Sequence, residues 1–165
     1  MTKFSLLITA LAAYFALSLG QMAQAQVGIR IEDAYARVMG ATAKSGGVFM
    51  TILNPSIEDD RLISVSTDAA ERAELHSNTQ DANGVMRMVA MDGGLPIAGM
   101  ESRMLDRGGD HIMLFGPTRA LKQGDIITLT LTFERTGVMT IQVPVDNARE
   151  PEAMDHSGHS MPATN

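Results

Sequence analysis

The sequence predicts an all-β sandwich, and three observations predict it. Apolar residues alternate with Thr without a break from Ile127 to Phe133. Turn residues recur at roughly the 8–12-residue spacing of sandwiches and barrels. No long stretch carries a capped apolar pattern with the helical period. With 165 residues the chain suits one domain plus short appendages, and a domain of that size buries a sufficient core without a metal staple.

The first 25 residues stand apart. Lys3 supplies a positive start, Phe4 to Leu19 is nearly continuous apolar sequence, and Ala23-Gln24-Ala25 matches a small-x-small cleavage site. This reads as a secretory signal peptide over 1–25. An uncleaved anchor is the other reading, but the apolar run is shorter than the ~20 residues of a spanning helix, and a cleavage signal follows directly.

The domain is expected over 26–146. Ile29 to Met39 and Gly47 to Leu53 read as strands, separated by the small and polar stretch Gly40 to Gly46 and closed by Asn54-Pro55. Arg61 to Ser66 and Arg72 to His76 follow. Gln80-Asp81-Ala82-Asn83-Gly84 then supplies turn chemistry before Val85 to Met91, which predicts a hairpin carrying His76 back towards Met86 and Met88. After Gly93-Gly94 and Leu95-Pro96 comes a strand at Ser102 to Leu105. The turn Asp106-Arg107-Gly108-Gly109-Asp110 leads into His111 to Phe115, read as a second hairpin. Ile127 to Phe133 and Val138 to Val145, joined at Arg135-Thr136-Gly137, complete the strands. Beyond Asp146 the pattern stops. Residues 147–165 are Asn, Arg, Glu, Pro, Ser, Gly, His and Met in a mix that buries too little apolar surface to order itself, so a disordered His/Met-rich tail is expected.

Composition narrows the chemistry. The formal charge is −6, and removing residues 1–25 takes away one Lys and no acid, leaving 12 basic and 19 acidic residues and a charge of −7. Nucleic acid is therefore a poor partner. The absence of cysteine excludes thiol catalysis, Cys-bound zinc, iron–sulfur clusters and a blue-copper centre. Methionine is the anomaly, with thirteen against five Phe, two Tyr and no Trp. Flexible thioethers filling core space account for some of them, and Met50, Met91, Met100, Met104 and Met139 are assigned to core or surface because no histidine sits beside them.

All four histidines neighbour methionines. His111 and Met113 lie two apart in a strand and so project from one face, while Ile112 and Leu114 point to the other. His76 is carried by its hairpin towards Met86 or Met88, which also share a face. The tail Met154-Asp155-His156-Ser157-Gly158-His159-Ser160-Met161 holds the remaining pair. Thioether sulfur is soft, a poor ligand for Zn²⁺, Mg²⁺ or Ca²⁺ and a good one for Cu(I) when joined by imidazole. In the tail, His156, His159 and Asp155 offer donors suited to Cu(II), and Met154 and Met161 add soft ones.

These residues resemble the periplasmic copper chaperones of the PCu(A)C family. That family's signature is a His, then a Met, then a His-x-Met, matched by His76, Met88, His111 and Met113; the intervals of twelve and twenty-three residues here are each one residue longer than the family's. Met86 therefore stays a second candidate for its position. Ala36-Arg37, Phe49-Met50-Thr51-Ile52-Leu53-Asn54, Asp60-Arg61-Leu62, Ala73-Glu74-Leu75-His76, Gly84-Val85-Met86-Arg87-Met88 and Leu121-Lys122-Gln123-Gly124-Asp125 also resemble it, so the likeness spans about 29 to 145. The resemblance implies a cupredoxin-like β-sandwich in the periplasm, not an enzyme. It would bind Cu(I) through two His and two Met and pass copper towards the binuclear copper centre of cytochrome c oxidase. The acceptor would be subunit II of that oxidase or a thiol-containing copper-insertion protein. It also implies that the His/Met tail, with His156, His159, Met154 and Met161 as donors, takes up Cu(II) as a secondary site.

Three other functions compete with that one. A copper buffer or resistance protein would use the same ligands without a dedicated acceptor. A copper redox enzyme is disfavoured by the lack of a nucleophile motif, of a third domain histidine and of a thiolate. A plain β-sandwich interaction module would bind no copper at His111.

Overall fold

In the computed structural model, residues 28–40 and 42–150 are described. They form ten strands: β1 (Arg30–Arg37), β2 (Ser45–Asn54), β3 (Asp60–Thr67), β4 (Ala70–Gln80), β5 (Met86–Ala90), β6 (Leu95–Ile97), β7 (Glu101–Leu105), β8 (His111–Pro117), β9 (Ile126–Phe133) and β10 (Gly137–Pro144). One antiparallel sheet runs β1-β2-β8-β4-β5, with β7 also on β2; the other runs β10-β9-β3-β6.

The core fills the space between the sheets, and strand alternation explains which residues enter it. Ile127, Leu129, Leu131 and Phe133 are almost wholly buried, while the Thr residues between them face out. From the other sheet Val48, Met50, Ile52, Leu75, Ile112 and Leu114 point inward. Each such side chain contributes about 1.5–3 kcal/mol through removal from water. Met50 is thus a core residue and does not line the ligand face.

Two local expectations change. The segment Asp106 to Asp110 does not close a hairpin. β2 is ten residues long, and its first half pairs with β8 (Ser45 with Phe115, Val48 with Ile112) while its second half pairs with β7 (Met50 with Leu105, Asn54 with Glu101). β7 and β8 both run antiparallel to β2 and lie end to end, so the glycine-rich segment is a jog in one line of chain. Asp106 braces it, with Oδ1 accepting from the backbone N–H of Gly108 and Gly109 and the Asp106 N–H donating to the Asp110 carbonyl. The short β6, where the sequence suggested no strand, lies on the β3 edge, with Leu95 and Ile97 buried.

Contacts also run past Asp146. The Asn147 side chain accepts from the Val38 N–H at 2.7 Å, and Arg149 pairs with Asp33 at the bulge in β1. The signal peptide expected over 1–25 and the rest of the expected tail, 151–165, lie outside the described residues.

Candidate metal centre

The site is built on the outer face of the larger sheet. In the β4–β8 pairing His76 stands opposite His111 and Glu74 opposite Met113, while their sequence neighbours Leu75 and Ile112 pair on the core side. In the β4–β5 hairpin Asn78 stands opposite Met88 and His76 opposite Ala90. Side chains directly opposite share a face, so His76, His111, Met113 and Met88 occupy one surface within two residues of each other along their strands. Met86 pairs with Gln80, a further two residues away from His76. The register therefore favours Met88 over Met86.

Both histidines are buried although they face outward. His76 is 9% and His111 5% exposed. Aromatic rings make the wall: Phe49 lies 6.3 Å from His111, Phe115 lies 5.7 Å from His76, and Tyr35 packs on Phe49 at 5.1 Å. The two imidazole centroids are 6.2 Å apart.

Their hydrogen bonds select which nitrogen is free. His111 Nδ1 lies 3.1 Å from the Gly109 carbonyl, which only accepts, so Nδ1 carries the proton and Nε2 keeps its lone pair. The Asp106 jog places that carbonyl. His76 Nε2 lies 3.1 Å from the Glu74 carboxylate. The hydrogen bond to His76, aided by the Arg72 guanidinium 2.6 Å away, holds the Glu74 carboxyl below the usual carboxylate range, so it accepts as an anion. Nε2 then carries the proton and Nδ1 is left with a lone pair. That Nδ1 is buried and has no hydrogen-bond partner. Leaving such a nitrogen unsatisfied costs about 1–3 kcal/mol, which a bound ion would recover. This pattern, a ligating imidazole with its second nitrogen donating to a carboxylate or a carbonyl, is the one metal sites use to orient their histidines.

The sulfurs are the accessible part. A cleft of about 330 Å³ is lined by Met88, His111 and Met113, together with Phe49, Met39 and Arg107. Met88 is 51% exposed and Met113 half-buried, whereas His76 sits beside His111 outside the cleft wall. Among the described residues no three His, Cys, Asp or Glu side chains come together as a metal site, and the soft side-chain donors beside His111 in this cleft are the thioethers of Met39, Met88 and Met113. Met39 was not anticipated. It follows Tyr35 and Arg37 on the same face of the chain, and its sulfur accepts from Arg37 Nε at 3.3 Å. The signal was the alternation beyond β1, but only the pairing of Arg37 with Gly47, and of Gly47 with Met113, shows that this face adjoins the histidines. His156, His159, Met154 and Met161 fall outside the described residues.

The family model for the LpqE-like family matches residues 29–145. Protein RP573 of Rickettsia prowazekii (strain Madrid E) is 28% identical over 127 residues, covering 74% of this chain and 69% of that protein. Among solved structures, the copper-bound PCuAC domain from PmoF2 superposes with a TM-score of 0.60 at 23% identity, over 72% of this chain and 92% of that one. The solution structure of Cu(I)-DR1885 from Deinococcus radiodurans gives 0.58 at 25% identity, over 80% and 88%. The cupredoxin-like sandwich of those PCuAC domains is the fold of this chain.

Proposed function

This chain belongs to the LpqE-like family, and from that premise we propose that it is a periplasmic copper chaperone. It holds one Cu(I) through His76 Nδ1, His111 Nε2, Met88 and Met113, and delivers the ion towards the binuclear copper centre of cytochrome c oxidase. Subunit II or a thiol-containing insertion protein is the acceptor, and residues 1–25 are the export signal. The observation that carries the reading is the buried, unpartnered His76 Nδ1 next to a histidine whose free nitrogen borders a thioether-lined cleft. The likeness to the copper-bound PCuAC domain of PmoF2 and to Cu(I)-DR1885 supports it.

The division of the donors suits a carrier. Neutral imidazole and thioether ligands favour the lower oxidation state, and the two histidines are largely buried while Met88 stands in solvent. An incoming thiolate displaces the exposed sulfur first, and copper moves without the histidines leaving their places. The tail is proposed as a secondary donor set, His156 and His159 with Met154 and Met161, suited to Cu(II). The last described residues reach the rim of the cleft, where the Arg149 carbonyl accepts from both Arg37 and Arg107.

The test is an anaerobic Cu(I) competition titration of the mature chain beside its His111→Ala and Met113→Leu variants. One tight equivalent is expected, weakened in either variant by more than the ~10–100-fold that outer-shell changes cost. Equal affinities in all three would remove copper from this face. A buffer with the same ligands would bind equally well but fail to transfer copper to purified subunit II.

A further inference from the structure

We propose that Arg37 and Arg107 form the point at which carboxylates of the copper-exchanging partner dock. The proposal rests on the copper reading above and adds to it the chemistry of the partner's surface.

The charge distribution carries the argument. Seven of the ten arginines pair with a carboxylate, among them Arg72 with Glu74, Arg103 with Asp110 and Arg149 with Asp33. Arg30, Arg37 and Arg107 have no acidic partner among the described residues, and two of these three line the metal cleft. Their placement comes from different parts of the chain. Arg37 ends β1, opposite Gly47. Arg107 sits in the jog between β7 and β8, with its guanidinium 6.0 Å from the centre of the Phe49 ring. Each gives one terminal N–H to the same acceptor, the Arg149 carbonyl, which carries no charge. Arg107 Nε is buried without a partner.

Two guanidinium charges thus converge beside the cleft of a chain whose formal charge is −6. An acidic partner is repelled by most of this surface and attracted here, which orients it with its ligands towards Met88. The planar fork of arginine suits a carboxylate geometrically. A monovalent cation in the cleft adds to the local positive charge, so the loaded chain attracts the partner more strongly than the emptied one. Docking and release therefore follow the cargo.

The experiment uses the full mature chain loaded with one Cu(I). Two synthetic acceptor peptides share one Cys-x-x-Cys pair and differ only in flanking residues, Glu in one and Gln in the other, and transfer rates are followed by stopped flow. At low salt the Glu peptide is expected to take copper about tenfold faster, an advantage that shrinks as salt is raised. Arg37→Gln with Arg107→Gln should bring the Glu-to-Gln ratio close to one, while Arg30→Gln, which removes the same kind of charge elsewhere, should keep it. If the double variant folds poorly, Arg37→Gln alone should lower the ratio to about threefold. A ratio of one in the unaltered chain, or one that survives the arginine changes, overturns the proposal. So does a preference that emerges only after Glu152→Gln with Asp155→Asn, which would assign the arginines to the chain's own tail. A chain that takes up no Cu(I) fails the copper reading and this proposal together, whereas a loaded chain without preference fails only this one.

Discussion

At the scale of single residues, the proposed centre depends on groups that would not touch a bound ion. Glu74 fixes the protonated nitrogen of His76, and Arg72 holds Glu74 while its guanidinium lies 4.6 Å over the Phe115 ring that walls the same histidine. Glu74→Ala should lower Cu(I) affinity about tenfold with little change in melting temperature, and Glu74→Gln, which keeps an acceptor, should restore most of it. Competition titration reads the affinity, and imidazole ¹⁵N shifts of the apo protein read the tautomer. The shared face of His111 and Met113 was legible in the sequence, because His-x-Met in a strand places both side chains on one face whatever surrounds it. The choice between Met86 and Met88 was not, since both satisfy alternation and only the pairing of Asn78 with Met88 separates them. Met39 escaped for the same reason: nothing local says which neighbour its face meets.

Among the elements, β2 organises the site, and its glycines make room for the aromatic wall. A Cβ on Gly47 would lie 2.6 Å from the Phe49 ring, which is itself packed between Tyr35 and His111. Gly47→Ala should therefore cost about 1–3 kcal/mol and weaken copper binding by displacing that ring, as thermal melts and titration would register. At the opposite end of the molecule Asp60 ties the β9–β10 turn to β3, accepting from the Arg135 and Thr136 N–H groups and from Thr136 Oγ1. Burial raises its pKa, but those bonds together with that from the Arg61 N–H outweigh it and hold the carboxyl below its ordinary value. The sign follows: the folded state favours the anion, so this stabilisation is complete above the ordinary carboxylate pKa of about 4 and fades as pH falls through the lowered folded value. Melting temperature should drop below about pH 4, and Asp60→Asn should be less stable at neutral pH with a flatter acid limb. The paired carboxyls Asp33 and Asp81, lowered by their bonds to Arg149 and Arg87, keep part of that acid sensitivity in the variant.

For the whole molecule, the core and the metal face lie on opposite sides of the same sheet. Ile112 and Leu114 pack inward from β8 while His111 and Met113 face the cleft, so on the proposed function copper would stabilise a fold that does not depend on it. Protein stripped with a chelator should keep its β-sheet circular dichroism and a cooperative melt. Cu(I) at a hundred times its dissociation constant should add about 2.7 kcal/mol, a shift absent from His111→Ala. Strand content, the buried face of Ile127 to Phe133, the softness of the donors and the pairing of His111 with Met113 were determined by the sequence alone. Each of these follows from side-chain chemistry or from a period of two, which acts between neighbours in the chain. The tertiary structure decided that β7 and β8 share β2 where a hairpin was expected, that Met88 and Met39 border the histidines, and that Arg37 and Arg107 meet at one carbonyl. Those facts depend on register and sheet order, which arise from hydrogen bonds and packing between residues distant in sequence and leave no mark on any single segment.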